Sequence, residues 1–190
     1  MFAALGLRRP LAQHSEAEGH LLQRYAEGAS TIVEIGVLEG GSALELRSVM
    51  DPAGTLLLVD PYVPGRLGVS MSRIVAARAV RRSDRGTVRW IRSTSAEAAP
   101  QWSGAIDFLF IDADHSLAAV RQDWSLWAPM VCTGGHVALH DARVIPGGAD
   151  GDRAWIDERA GPVVLAREIG ADPGWRLVGE AETTVVFRKQ

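Results

Sequence analysis

Ile32-Val33-Glu34-Ile35-Gly36-Val37-Leu38-Glu39-Gly40-Gly41-Ser42 is the stretch on which the reading of this chain turns. It passes from an apolar run into a glycine-rich turn and then into a helix-forming segment. The next apolar run, Leu56-Leu57-Leu58-Val59, closes on Asp60. Strand, glycine turn, helix, second strand and terminal acid make half of a nucleotide-binding βαβ unit. Glycines let a ligand approach the backbone. An acid at the tip of the second strand can hold two ribose hydroxyls. The stretch therefore points to an adenosine-containing cofactor. A plain strand–helix turn is the alternative. Glu34 and Asp60 count against it, because an acid at the end of an apolar strand is costly without a partner.

Outward from this unit, strands and helices alternate. A helix is predicted over 15–27, where Ser15 and Glu18 have capping-box spacing and Gly28 ends the turn. Strands are predicted at 31–35, 55–59, 87–91, 106–111 and 136–139, and two closing antiparallel strands at 175–179 and 183–188. Helices are predicted at 42–50, 71–83, 95–99, 117–127 and 153–168, with Gly161-Pro162 expected to break or restart the last. Such alternation means an α/β fold, a Rossmann-like, doubly wound and mostly parallel sheet of about seven strands with the last antiparallel. Ligands in such sheets lie beyond the carboxyl ends of the strands. The polar residues there are Glu34–Gly36, Asp60, Ser93–Ser95, Asp112–His115 and His140-Asp141.

The bulk properties bound the rest. The 190 residues suit one domain spanning 1–190, with an N-terminal helical segment at 1–28. A 47% hydrophobic content is ample for a core, and a net charge of −3 gives no argument for nucleic acid. One cysteine, Cys132, allows no internal disulfide framework and suits a reducing, cytoplasmic setting. No apolar run approaches the roughly 20 residues that span a bilayer. The two arginines of Met1–Pro10 follow a short apolar piece, the wrong order for a signal peptide.

Asp60 follows Gly36 at about the spacing, some 20 residues, at which an acid meets a ribose. NAD and S-adenosylmethionine both satisfy it. A dinucleotide turn needs Gly-x-Gly-x-x-Gly to bring a pyrophosphate to a helix N-terminus. Here Leu38 stands where the second glycine belongs, and Glu39 repels a pyrophosphate. Glu34, just before the turn, suits a cationic methionine ammonium instead.

The ordered set Glu34–Ser42, Asp60-Pro61-Tyr62, Ile111-Asp112-Ala113-Asp114-His115, Gly134-Gly135 and His140-Asp141 resembles the class I S-adenosylmethionine-dependent methyltransferases. More narrowly, it resembles their small-molecule O-methyltransferase branch, which acts on natural-product sugars. The resemblance covers about residues 12–190. It implies Glu34 and Gly36 near the methionine part, Asp60 on the ribose hydroxyls and Ser93–Glu97 near the adenine. The expected cofactor set is Glu34, Gly36, Gly40, Ser42, Asp60, Ser95 and Asp112.

Asp112, Asp114, His115, His140 and Asp141 end two strands that a parallel sheet can place side by side. Methylating a hydroxyl needs the methyl aimed at the oxygen and the proton removed. A carboxylate-bound divalent cation can lower the hydroxyl's pKa. The resemblance implies Asp112 and Asp141 as metal ligands and Asp114 or His115 as base. His140 departs from it, standing where the sugar-methylating relatives carry an acid. An Asp112/His140/Asp141 set suits manganese, iron or zinc better than Mg²⁺, unless His140 is no ligand. As base, His115 has the advantage of an unperturbed pKa of about 6.5.

The expected function is methyl transfer from S-adenosylmethionine to a hydroxylated small molecule, a natural-product sugar or phenol. An NAD-linked oxidoreductase and a non-catalytic adenosine-ligand binding module are the alternatives. Residues 61–70 and 142–153 are candidate substrate loops with glycine hinges, Arg66 included. His14, Glu16 and Glu18 read as a solvated helix entry, with a substrate-facing role as the alternative, and Trp124 and Trp127 as core or interface. The oligomeric state is open; a short domain without a large cap often borrows a neighbour, which would make a homodimer.

Overall fold

The computed structural model describes residues 10–65, 68–145 and 159–190. Seven strands form one sheet: β1 (Thr31–Ile35), β2 (Thr55–Val59), β3 (Thr87–Ile91), β4 (Ile106–Ile111), β5 (Val131–Leu139), β6 (Trp175–Ala181) and β7 (Thr184–Lys189). Their order is β3-β2-β1-β4-β5-β7-β6. β7 runs antiparallel to both neighbours, and the remaining pairs are parallel. The expected Rossmann-like sheet with a reversed last strand is thus the one the chain forms.

Among the described residues, six α-helices cover the two faces: α1 (Glu16–Ala26), α2 (Gly41–Val49), α3 (Met71–Val80), α4 (Ser95–Ala98), α5 (Leu117–Trp127) and α6 (Gly161–Gly170). Successive strand residues face opposite sides. Ile32, Leu56, Leu58, Phe108 and Phe110 pack with Leu22 of α1, Leu46 of α2 and Ala76 of α3. Val33, Ile35, Leu57, Leu109 and Ile111 pack with Val120 and Trp127 of α5 and Leu165 of α6. Burial on both faces is why the strand sequences are almost unbroken apolar runs.

Several element boundaries shift by a few residues from the sequence reading, and those of β5 and α6 bear on glycine and proline. β5 begins at Val131 and carries Gly134, at φ +83°, and Gly135 inside it, where its register with β4 shifts. The glycine pair marks an irregularity within the strand instead of leading into it. α6 begins at Gly161 with Pro162 in its first turn, so the pair starts a helix, one of the two outcomes expected of it. The first part of the helix expected from 153 lies outside the described residues.

The chain winds outward from β1 through β2 to β3, then returns to place β4 on the other side of β1. That reversal creates the switch-point crevice between the tips of β1 and β4. Val59, Ile35, Ile111 and Leu139 end level with one another. The ladder continues by one residue: Gly36 donates to the Val59 carbonyl at 3.0 Å, Asp112 to Ile35 at 2.9 Å and His140 to Ile111 at 3.2 Å. Asp60, Gly36, Asp112 and His140 therefore stand in one row along the carboxyl edge. Among the described residues, no helix is long and apolar enough to cross a membrane.

Candidate active site

Gly36 adopts φ +85°, and a Cβ there would stand 2.0 Å from the Asp112 carbonyl oxygen. Only glycine lets the tips of β1 and β4 touch. Leu38 adopts φ +50°, so the backbone takes a glycine-like shape without a glycine. Asp60 holds it there. Its Oδ2 accepts the Val37 and Leu38 amides at 3.0 and 3.1 Å, and its Oδ1 accepts the Tyr62 amide at 2.7 Å. Such strain persists only where the surroundings over-determine it. Asp60 thus builds the turn as well as facing the cavity.

Gly40, at φ +75°, turns its missing side chain toward Ala76 of α3, whose Cα would lie 3.0 Å from a Cβ. Glu34 lies on the α2 side of the sheet, fully buried, and accepts a hydrogen bond from the Ser42 hydroxyl. Its Oε2 has no hydrogen-bond partner among the described residues. Burial holds the Glu34 carboxyl well above the usual carboxylate range, with the Ser42 bond opposing. Glu34 and Gly40 therefore stand behind the turn, not in a ligand-facing wall.

A cleft of about 590 Å³ opens over the strand tips. Gly36, Ser42, Asp60, Ser95 and Asp112 of the expected cofactor set line it together. Asp114 joins them, as do Leu11 and Gln13 from the segment before α1. The Leu11 amide donates to Glu39 Oε2 at 2.9 Å, and His14 Nε2 lies 3.4 Å from Glu45 Oε2, so that segment is tied across the turn and α2. The sequence reading missed Asp123, which lines the cleft from α5 and is 5% exposed. The signal was present: an acid between Val120 and Trp127 on an otherwise apolar helix face.

Beside the cleft, the acid and histidine residues converge. His140 Nδ1 lies 3.0 Å from Asp112 Oδ1 and 3.4 Å from Asp141 Oδ2. His115 Nε2 lies 3.7 and 3.9 Å from the same two oxygens. Donor atoms of Asp112, His115 and His140 all fall within 4.8 Å of one another. Burial would raise the Asp112 pKa, but the nearby His115, the His140 hydrogen bond and the charges of both histidines hold it well below the carboxylate range. Burial would lower the His140 pKa; the Asp112 bond and the charges of Asp112, Asp141 and Glu18 raise it instead. Asp114 stands apart, exposed, its Oδ1 accepting the Ser116 amide at 2.7 Å, which lowers its pKa.

The expected capping box at Ser15 and Glu18 forms, but Glu18 is buried, not solvated. Its Oε1 accepts the Thr183 amide at 3.1 Å and the Thr183 and Thr184 hydroxyls at 2.6 and 3.0 Å. The Thr183 hydroxyl also stands 3.0 Å from Asp141 Oδ1. Asp141, at φ +50°, is thereby fixed in the conformation that points it at His140.

Of the candidate substrate loops, Tyr62 packs inward at 3% exposure against Trp90, and Arg73 lies 3.7 Å over the Trp90 ring. Arg66 and most of the 142–153 loop lie outside the described residues. Trp127 is fully buried and Trp124 packs on Trp175, as a core reading requires.

A family model described as "Methyltransferase domain" matches residues 33–142, more than half of the chain. The fold is similar to that of a Corynebacterium glutamicum protein, with a TM-score of 0.71 at 20% identity over 99% of this chain and 85% of that one. It is similar to the O-methyltransferase TomG of Streptomyces achromogenes, solved with S-adenosylmethionine, at 0.70 and 18% identity over 99% and 86%. It is also similar to a Bacillus cereus O-methyltransferase solved with S-adenosylhomocysteine, at 0.62 and 20% identity over 98% and 87%.

Proposed function

The chain belongs to the methyltransferase-domain family, and from that premise we propose that it moves a methyl group from S-adenosylmethionine to a hydroxyl of a small molecule. One observation carries the reading. Asp112 lines the cleft and, with the same side chain, gathers both histidines beside it. A methyl donor in the cleft would therefore lie next to groups able to take a proton.

S-adenosylmethionine supplies an electrophilic methyl on a sulfonium sulfur. Asp60 would hold its ribose hydroxyls, while Gly36 and Leu38 bring the backbone against it. His115, 30% exposed on its side chain, is the group that meets the acceptor hydroxyl. Asp112 and Asp141 beside its Nε2 orient the ring and stabilise the imidazolium that forms. Asp114 is the weaker base, since its pKa is lowered and its carboxylate is engaged at the start of α5.

The donor set fits a divalent cation. Two donors at right angles about one ion, each about 2.1 Å away, stand about 3 Å apart, as His140 Nδ1 and Asp112 Oδ1 do at 3.0 Å. Asp112, His115, His140 and Asp141 would hold it, a set richer in nitrogen than Asp112, His140 and Asp141 alone and better suited to Mn²⁺, Fe²⁺ or Zn²⁺ than to Mg²⁺. Such an ion would lower the pKa of the acceptor hydroxyl and hold it in place.

The acceptor class is a natural-product sugar or phenol; TomG, similar in fold, is involved in tomaymycin synthesis. The proposal places a homodimer in a reducing cytoplasm. Isothermal titration should give micromolar affinity for S-adenosylmethionine and S-adenosylhomocysteine and none for NAD⁺; a preference for NAD⁺ refutes the reading. Methyl transfer to a panel of hydroxylated metabolites, with and without EDTA, then tests the metal. Activity lost on chelation and regained with Mn²⁺ makes the reaction metal-assisted; activity retained leaves His115 as the base acting alone.

A further inference from the structure

We propose that His14 and Glu45 share one proton, and that this proton holds the segment before α1 over the cleft, so that the protein grips its methyl donor less tightly as pH rises and the proton is lost. The inference rests on the cofactor reading above. Leu11 and Gln13 of that segment line the cleft. Ala12, between them, lies on the start of α2, where a Cβ on Gly41 would stand 2.6 Å from its own. The segment is a wall of the ligand site, so what holds it in place bears on affinity.

One of its holds is His14 against Glu45. The His14 side chain is 2% exposed. Its Nδ1 lies 3.0 Å from the Ser15 carbonyl oxygen. A carbonyl only accepts, so Nδ1 carries a hydrogen. That leaves Nε2 for Glu45, whose Oε2 lies 3.4 Å away. Both atoms are buried and have no hydrogen-bond partner among the described residues. Without a proton between them, an imidazole lone pair would face a carboxylate out of water, which is costly. One proton, on either atom, turns the contact into an attraction. Burial raises the Glu45 pKa, against the charges of His14 and His20, which favours keeping a proton within the pair.

Gly19 of α1 is an independent sign of the pair. Glycine is disfavoured inside a helix, yet a Cβ here would stand 2.6 Å from Glu45 Oε2 and 3.1 Å from His14 Cε1. α1 forgoes a side chain where the pair sits. The other titratable groups around the pair are Glu16 and His20 of α1, which line the same cavity of about 350 Å³. Glu39 of the β1–α2 turn accepts the Leu11 amide, and Glu18 points the other way, to Thr183. The contact is attractive below the pH at which the pair loses its proton and repulsive above it.

Glu45→Gln tests this, because its NH₂ group donates to the imidazole Nε2 at every pH. Calorimetric titration of the full chain with S-adenosylhomocysteine should show the wild type binding about fivefold more weakly at pH 9 than at pH 6. Glu45→Gln should match the wild type at pH 6 and bind about fivefold more tightly than it at pH 9. His115 and His140 are the same in both proteins, so the difference between the two profiles belongs to the pair. His14→Ala, which removes the contact, should bind at pH 6 as weakly as the wild type does at pH 9, and it serves if the glutamine variant does not fold. Superimposable profiles for the wild type and a folded Glu45→Gln, or full affinity at pH 6 in His14→Ala, overturn the proposal. Amide hydrogen exchange over residues 10–14, measured without ligand, should be faster in the wild type than in Glu45→Gln at pH 9 and equal at pH 6; equal exchange at pH 9 also overturns it. Failure of the wild type to bind S-adenosylhomocysteine at either pH overturns the cofactor reading instead, and the exchange measurement still judges the pair.

Discussion

At the scale of single residues, Glu34 and Gly36 sit two positions apart on one strand end and do different work. Glu34 still belongs to the strand and points under the sheet to Ser42, whereas Gly36 lies just past the strand end at φ +85° and meets Asp112 and the cleft through its backbone. Burial raises the Glu34 pKa, so the folded state favours its protonated form. That disadvantage to the ionised form is absent below its ordinary value of 4.5 and grows as pH rises through the raised value. Glu34→Gln, which mimics the protonated form, should match the wild-type melting temperature near pH 4 and exceed it at pH 8. Its affinity for S-adenosylmethionine should stay within about threefold; loss of binding would show that Glu34 meets the ligand directly. Gly36→Ala should instead destabilise by more than about 2 kcal/mol in urea titrations. It meets both a left-handed backbone and the Asp112 carbonyl.

At the scale of elements, Asp60 joins the tip of β2 to the β1–α2 turn by two amide hydrogen bonds and accepts a third from Tyr62 of its own loop. Asn in its place has one oxygen and presents an NH₂ group to donors at the other position. Asp60→Asn should lower stability by about 1–3 kcal/mol and weaken S-adenosylmethionine binding at the same time. A thermal shift alongside calorimetric titration checks both. A variant that binds weakly with an unchanged melting temperature would limit Asp60 to ligand contact. Leu38 is instructive here. Its leucine argued against a dinucleotide turn, yet its backbone has the conformation a glycine would favour. A side chain's identity and its φ angle are separate pieces of information, and Asp60 supplies the second.

At the scale of the whole molecule, the network Glu18–Thr183–Asp141–His140–Asp112 ties together α1, the β6–β7 turn and the tips of β5 and β4. Thr183→Val keeps the shape and removes the hydroxyl that bridges Glu18 and Asp141. It should cost about 1–3 kcal/mol and lower kcat more than the KM for S-adenosylmethionine, because Asp141 loses its orientation while the cleft is intact. Steady-state kinetics and thermal denaturation on one preparation separate the two effects. Equal changes in the two kinetic parameters would place the network's influence on the cleft instead.

What the sequence determined by itself is local and periodic. Apolar runs, glycine punctuation and the Ser15–Glu18 capping box name the strands and helices, and the acid after each strand names the functional edge. Asp60, Asp112, His115, His140 and Asp141 were legible because ligands in such sheets lie at the strand tips. The tertiary structure decided which of them meet, since register levels the tips and the chain's reversal brings β1 against β4. It alone showed that Glu18, 165 positions from Thr183 along the chain, is buried in the same network. It alone turned Glu34 and Gly40 away from the cleft and Asp123 into it. Periodicity reports which face of an element is buried, but not what stands across from it, and the chemistry of a site depends on what stands across.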